Sequence, residues 1–193
     1  EGKKTMGFEL AEQMKWVLPD AIFYPTGGGT GLIGMWKAFA ELKELGWLTG
    51  KLPKMIAIQS TGCAPIVDAF NKGLDHAPLW KNAHTVASGI RVPAAIGDFL
   101  ILGAIRDSGG CALAVDDEHI IKVRNLISQE DGLLLCPEGA ATAAGYQMAL
   151  EKKIINSDEK VMLFNCASGL KYSMPEATQI IDKNFLIEYE QFI

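Results

Sequence analysis

Several features that would place this 193-residue chain in a class of protein are missing from it. No apolar run approaches the roughly 20 residues of a membrane-spanning helix, and segment 99–105 is interrupted by Gly103. The first residues lack the pattern of a secretory signal. No block of lysines and arginines is present, and the net charge is −5. We therefore expect a cytoplasmic protein whose partners include neither a membrane nor nucleic acid.

The cysteines and histidines are too few and too scattered to build a metal site. None of the four cysteines forms a C-x-x-C pair; they stand at Cys63, Cys111, Cys136 and Cys166. The three histidines do not approach them at ligand spacing. This arrangement predicts reduced thiols and no bound metal, as is typical of cytoplasmic proteins.

What the chain does contain is a regular alternation of short apolar segments with helical periodicity. Strands are predicted at 21–24, 55–59, 111–115, 132–136 and 161–165. Helices are predicted at 6–17, 31–45, 65–72, 94–108, 117–129 and 139–152. Such alternation predicts a three-layer α/β/α fold with a mainly parallel sheet. We expect one domain over residues 1–174, followed by a carboxyl-terminal helical tail at 175–193.

The most informative segment is 21–34, which reads A-I-F-Y-P-T-G-G-G-T-G-L-I-G. A short strand leads into a glycine-rich turn, and an apolar helical pattern begins at once. Consecutive glycines permit positive φ and let backbone N–H groups approach a ligand closely. The free donors and the dipole of the following helix favour an anion at this junction. The segment therefore predicts a phosphate site at the carboxyl end of a strand.

Two common phosphate motifs fit this turn poorly. Gly29, Gly31 and Gly34 satisfy the spacing of a dinucleotide fingerprint, but the next predicted strand ends in Gln59 and Ser60 without the acidic residue that binds a ribose. A Walker P-loop would require Gly-Lys-Ser or Gly-Lys-Thr, which does not follow. A nucleotide-binding domain and a glycine turn without a ligand stay as weaker alternatives.

The run P-T-G-G-G-T-G-L-I-G-M-W resembles the cofactor-phosphate loop of the fold type II pyridoxal-phosphate enzymes, the tryptophan synthase β class. Four more segments match in the same order: E-G-K-K-T at 1–5, H-T-V-A-S-G-I-R-V-P at 84–93, P-E-G-A-A-T at 137–142 and N-C-A-S-G-L-K-Y at 165–172. Together they are most similar to the threonine synthases, over nearly the whole chain. The resemblance implies the large domain of that fold and pyridoxal phosphate as cofactor.

The resemblance also implies roles for individual residues. Cofactor-binding residues would be Thr26, Gly27, Gly28, Gly29, Thr30, Glu138 and Cys166. Cys166 would face the pyridine nitrogen, where the family has Thr or Ser, and Glu138 would approach the ring or its 3-oxygen. Both also have simpler interpretations, as a buried thiol and as a helix N-terminal carboxylate. Ser88 and Arg91 would shape the pocket for a small amino-acid substrate, or would lie in a solvated loop.

One expected element is missing from the chain. The family holds its cofactor on a lysine in an S-x-K-x-R context near the amino end, and no such motif occurs here. We therefore expect the Schiff-base lysine, and the small domain that accompanies it, to lie upstream in a longer enzyme. This segment alone would then be inactive, and the complete enzyme could be a homodimer.

The implied reaction converts O-phospho-L-homoserine and water to L-threonine and phosphate. Two departures leave alternatives open: the triple glycine of the turn is closer to the dehydratases, and Cys166 stands where threonine synthases usually have Thr. A threonine or serine dehydratase, or a related ammonia-lyase, is the nearest alternative. A non-catalytic domain that only binds a phosphate anion is the alternative of another class.

Overall fold

The computed structural model describes residues 1–174, 182, 184–186 and 190, so the predicted tail at 175–193 lies largely outside the described part of the chain. Four strands are β1 (Ala21–Pro25), β2 (Lys54–Ser60), β3 (Cys111–Val115) and β4 (Val161–Leu163). The helices are α1 (Lys4–Gln13), α2 (Thr30–Glu44), α3 (Pro65–Asn71), α4 (Asp98–Asp107), α5 (Asp117–Glu130) and α6 (Pro137–Glu151). Two 3₁₀ turns span Ser88–Ile90 and Gly169–Lys171.

The strands form one parallel sheet in the order β3-β2-β1-β4. Successive side chains of each strand alternate between two buried clusters. Ile22 and Met55 pack with helices α1 to α4, whereas Phe23 and Ile56 pack with α5 and α6. Because both faces of the sheet are covered, the strands read as continuous apolar runs. The predicted three-layer α/β/α fold is confirmed.

The strand order reverses beside β1. The chain proceeds from β1 to β2 to β3 on one side, and β4 then pairs with the other side of β1. A crevice opens at the carboxyl ends of strands where the order reverses, and ligands of open α/β sheets bind there. The loops that follow β1 and β4 therefore meet at one point.

One predicted strand is absent. Residues 132–136 do not join the sheet; their only described pairing of strand type is an isolated antiparallel bridge between Leu135 and Ser168. The backbone groups of this segment bond to the loop after β4 instead, with Gly169 N–H donating to the Leu134 carbonyl at 2.9 Å and Cys136 N–H to that of Ala167 at 3.2 Å. The apolar run links α5 to α6.

Several boundaries also differ from the prediction, for local reasons. Helix α1 ends before residue 17 because Lys15 and Trp16 take positive φ values of 53° and 62°. Helix α4 begins only at Asp98, whose carboxylate accepts from the N–H groups of Ala77 and Phe99, both at 2.7 Å. None of the described helices is both long and apolar enough to cross a membrane.

Gln59, at the end of β2, ties the turn after β1 to the start of α3. Its side chain is fully buried, and its amide nitrogen donates to the Thr26 carbonyl at 3.1 Å. Its oxygen accepts from the N–H groups of Ile66 at 2.9 Å and Val67 at 3.2 Å. A carboxylate here could accept both bonds but could not donate to Thr26. Gln59, which stands where a dinucleotide site would have an acidic residue, thus stabilises the glycine turn through its bond to Thr26.

We expect Gln59→Ala to lower the free energy of unfolding by about 1–3 kcal/mol, because three buried backbone groups lose their partner. Urea denaturation followed by circular dichroism measures the change. Gln13→Ala, which removes only an exposed side-chain bond to Glu9, is the matched control and should stay within about 0.5 kcal/mol of the parent. Equal effects of the two substitutions would contradict the assignment.

Candidate functional site

The turn between β1 and α2 presents backbone N–H groups that have no partner among the described residues. Thr26 N–H still bonds to Ile58, at 2.8 Å, but in the described part of the chain no acceptor pairs with the N–H groups of Gly27, Gly28, Gly29 or Thr30. Helix α2 begins at Thr30, so its dipole adds positive potential at the same place. Free donors at a helix N-terminus are the elements of a phosphate site.

The backbone of this turn is held closely on two sides and open on the third. A Cβ at Gly27 would come within 2.7 Å of the Gly89 carbonyl oxygen. Gly29 has a φ of 69°, and a Cβ there would collide with Ile101. A Cβ at Gly28, whose φ is not positive, would meet nothing within 4 Å. Open space at Gly28 is where a ligand can approach the N–H groups.

This open space is part of a cavity of about 380 Å³ at the carboxyl edge of the sheet. Its lining comes from the turn after β1, from the 3₁₀ turn at Ser88–Ile90, from the start of α6 and from the loop after β4. The lining residues are Tyr24, Pro25, Gly27, Gly28, Gly29, Thr30, Gly89, Ile90, Glu138, Cys166, Ala167, Lys171 and Tyr172. Six of the seven predicted cofactor residues are therefore together.

Thr26 is the predicted cofactor residue that the structure does not bring to the cavity. It is fully buried, and its hydroxyl donates to the Tyr24 carbonyl at 2.8 Å. Its N–H and carbonyl groups are also used, by Ile58 and Gln59. Because its hydroxyl, N–H and carbonyl groups are all hydrogen-bonded within the protein, Thr26 stabilises the turn and does not face the cavity.

Ser88 and Arg91 flank the cavity without lining it. Both side chains are exposed, and the residues between them, Gly89 and Ile90, form the wall instead. Asp117 fixes the segment just before this turn by accepting from the Thr85 hydroxyl at 2.6 Å and from Val86 N–H at 2.8 Å. The 84–93 segment thus contributes to the site mainly through its backbone.

Glu138 connects two loops across the cavity. One carboxylate oxygen accepts from Gly89 N–H at 2.6 Å, and the other accepts from the Tyr172 hydroxyl at 2.7 Å. The side chain is only 4% exposed. Because each of its oxygens accepts a short hydrogen bond from a different loop, Glu138 holds the two loops together. Burial, together with this bond and the nearby negative charge, raises the pKa of Tyr172 well above its ordinary value.

Cys166 follows β4 and lines the same cavity as the glycine turn. Its side chain is exposed, in contrast to the buried Cys63 and Cys136. Although the residue as a whole is exposed, desolvation by the surrounding protein atoms raises the pKa of the Cys166 thiol to about 11, with further contributions from Cys136 and Glu138. At neutral pH the thiol is therefore uncharged, and it can take part in a hydrogen bond without bringing a formal charge.

Seven residues of the wall were not singled out from the sequence as ligand contacts, and three of them have polar side chains: Tyr24, Lys171 and Tyr172. The last two belong to the segment S-G-L-K-Y, which carried part of the family resemblance and could have pointed to them. Tyr24 precedes the glycine turn on β1, and burial raises its pKa to about 12. Among the described residues no group of three metal-ligating side chains comes together.

The fit of these residues to a phosphate ester can be tested at Gly28. We expect Gly28→Ala to reduce the affinity of the chain for pyridoxal phosphate at least about tenfold, because the methyl group occupies the approach to the free N–H groups. The melting temperature should stay within about 2 °C, since the methyl group meets no protein atom. Isothermal titration calorimetry and thermal denaturation measure the two effects.

Gly50→Ala is the matched control for this experiment. Gly50 also lies in a loop, without positive φ and with nothing within 4 Å of an added Cβ, but it is outside the cavity. Unchanged affinity in Gly28→Ala, or an equal loss in both variants, would contradict a phosphate site at this turn.

The raised pKa of Cys166 predicts a pH profile for its alkylation. The rate of reaction with iodoacetamide should still be rising at pH 9.0, the ordinary pKa of a thiol, and should be half-maximal at a pH of about 11. Glu138→Gln should lower that midpoint, because removing the carboxylate charge favours the thiolate. Mass spectrometry of the peptide that contains Cys166 measures the rate, with Cys166→Ser as the blank. A plateau near pH 9 would contradict this environment.

The sequence of this chain matches a known enzyme family over most of its length. Residues 1–167 match the family model described as "Pyridoxal-phosphate dependent enzyme". The chain is 37% identical over 171 residues to the threonine synthases of Methanocaldococcus jannaschii and Methanosarcina acetivorans. Each alignment covers 89% of this chain and 42% of the relative, so the chain spans less than half the length of these proteins.

Solved structures share the fold at lower identity. The L-serine ammonia-lyase of the fungus Rhizomucor miehei superposes with a TM-score of 0.68 and 22% identity, over 83% of this chain and 49% of its own. The processed form of threonine deaminase isoform 2 from Solanum lycopersicum superposes with a TM-score of 0.65 and 23% identity, over 83% and 43% of the two chains. At these identities the likeness concerns the architecture.

Proposed function

The chain belongs to the pyridoxal-phosphate dependent enzymes, and from that membership we propose that it forms the cofactor-phosphate part of a threonine synthase. The complete enzyme would convert O-phospho-L-homoserine and water to L-threonine and phosphate. The observation that carries this proposal is the set of free N–H groups at Gly27–Thr30 on one wall of a cavity. The 37% identity to two threonine synthases supports the choice of reaction within the family.

The glycine turn would bind the phosphate of the cofactor through its backbone. Four N–H groups and the N-terminus of α2 provide both hydrogen bonds and positive potential for a dianion. Three of the four residues of this turn are glycines without side chains, so the phosphate can approach the backbone closely. When bound, pyridoxal phosphate supplies an electron sink that stabilises negative charge at the α-carbon of an amino acid.

Cys166 would be the neutral neighbour of the cofactor ring. A carboxylate at this place would stabilise a protonated ring nitrogen, whereas a neutral thiol with a pKa of about 11 does not. The proton of the thiol can then be shared with the ring nitrogen in a hydrogen bond. This role is compatible with the position of Cys166 in the wall of the cavity that Gly28 also lines.

Glu138 would act by holding the cavity walls in place. Its bonds to Gly89 and Tyr172 join the loop after α3 to the loop after β4. Because its carboxylate already has two partners, we assign it a positioning role in place of direct contact with the ring. Ser88 and Arg91 would act on the substrate only if the exposed loop that carries them turns inward on binding.

The reaction can be tested on the complete coding sequence that contains this chain, expressed with pyridoxal phosphate. Release of phosphate and formation of L-threonine from O-phospho-L-homoserine would support the proposal. Formation of ammonia and 2-oxobutanoate from L-threonine, without phosphate release, would instead identify a dehydratase. Binding of pyridoxal phosphate without turnover of either substrate would favour a non-catalytic anion-binding domain.

Substitutions of Cys166 in the complete enzyme test whether this residue contacts the cofactor ring. We expect Cys166→Ser to keep at least about a third of kcat, because the hydroxyl group is also a neutral hydrogen-bonding partner. Cys166→Asp should lower kcat by about tenfold or more, because its negative charge would favour a protonated ring nitrogen and so change the electron sink. Steady-state phosphate release measures both variants. Full activity of the Asp variant would contradict contact between this position and the ring.

A further inference from the structure

Lys171 is the single cation among the side chains that line the site cavity in the described part of the chain. The other ionisable groups of the wall are Glu138, whose carboxylate accepts two hydrogen bonds, and the neutral Tyr24, Cys166 and Tyr172. No described carboxylate lies within salt-bridge distance of Lys171. The wall therefore carries an ammonium group that no described acidic side chain neutralises.

The segment that carries Lys171 is held at the cavity by contacts on both sides. Tyr172, the next residue, donates its hydroxyl proton to Glu138 at 2.7 Å. Gly169, two residues earlier, is buried, and its N–H donates to the Leu134 carbonyl at 2.9 Å. These bonds fix the backbone of the 3₁₀ turn, so that the position of residue 171 is set while its side chain stays exposed.

An anion bound in the cavity would meet a negative charge there. Glu138 is 4% exposed and places a carboxylate in the same wall as the glycine turn. A phosphate dianion at that turn would be repelled by the carboxylate. The ammonium group of Lys171, together with the free N–H groups, offsets this repulsion.

We propose that Lys171 is a specificity-determining residue that contacts a phosphomonoester dianion in this cavity. The inference rests on the proposed function, because it assumes that the cavity takes a phosphorylated ligand. The dianion has two sources, the phosphate of the cofactor and the phosphate of the amino-acid substrate. A lysine suits either one, as a point charge on a flexible stem that can follow the ligand.

The test uses the complete enzyme that contains this chain, and it follows two phosphorylated ligands separately. Lys171→Gln should weaken pyridoxal 5′-phosphate binding by roughly three- to tenfold at low salt, with a smaller loss at high salt. Lys171→Arg should keep most of the affinity because it keeps the charge. Lys122→Gln, which removes an exposed charge from α5, is the matched control and should leave affinity unchanged.

The second ligand separates the two sources of the dianion. If Lys171 contacts the cofactor phosphate, Lys171→Gln weakens pyridoxal 5′-phosphate but leaves pyridoxal, which lacks the phosphate, unchanged. If it contacts the substrate phosphate, pyridoxal 5′-phosphate binds normally and the KM for O-phospho-L-homoserine of the cofactor-saturated enzyme rises. Equal affinities of Lys171→Gln and the parent for both phosphorylated ligands would overturn the inference while leaving the proposed function intact.

Two further outcomes would also overturn the inference. An equal loss in Lys122→Gln would mean that only net charge matters. Failure of the unsubstituted complete enzyme to bind either phosphorylated ligand would remove both the inference and its premise. Tyr172→Phe supplies a check on placement: it keeps the charge of Lys171 but breaks the bond to Glu138, so it should weaken binding by a smaller factor than Lys171→Gln.

Discussion

The whole site depends on the backbone of residues 27–30 keeping its N–H groups free. Free donors are costly in a protein interior, and this turn can keep them only because it opens into a cavity. The surrounding structure holds the turn in this state: Gln59 donates to the Thr26 carbonyl just before it, Gly89 packs against Gly27, and Ile101 packs against Gly29. A ligand that supplies acceptors completes an arrangement that the protein leaves open.

The rest of the cavity follows from the sheet order. Because β4 pairs with β1 on the side away from β2, its loop arrives beside the glycine turn. Cys166 and Lys171 reach the cavity by this route, and Glu138 then ties Tyr172 to Gly89. The cavity wall contains a neutral thiol, a hydrogen-bonded carboxylate and one ammonium group. The ammonium group and the free N–H groups suit a charged phosphate, and the neutral thiol suits a heteroaromatic ring.

The sequence predicted the architecture well where a segment has its own strong periodicity. Strands β1, β2 and β3 and the long helices α2, α5 and α6 lie close to their predicted positions. The prediction of a strand at 132–136 was wrong because an apolar run looks the same whether it joins a sheet or lines a loop. Its backbone partners come from residues 165–169, which no local pattern identifies.

The sequence by itself determined the strand–turn–helix unit at 21–44 and the phosphate chemistry that its glycines allow, because those properties depend on neighbouring residues. Only the tertiary structure decided which residues share the cavity. Thr26, within the motif, is turned inward and fully bonded, whereas Lys171, far along the chain, lines the wall. Gly89 and Glu138 are 49 positions apart, yet their bond sets the shape of the site. Contacts of that kind arise from the packing of whole elements, and no local spacing in a chain encodes them.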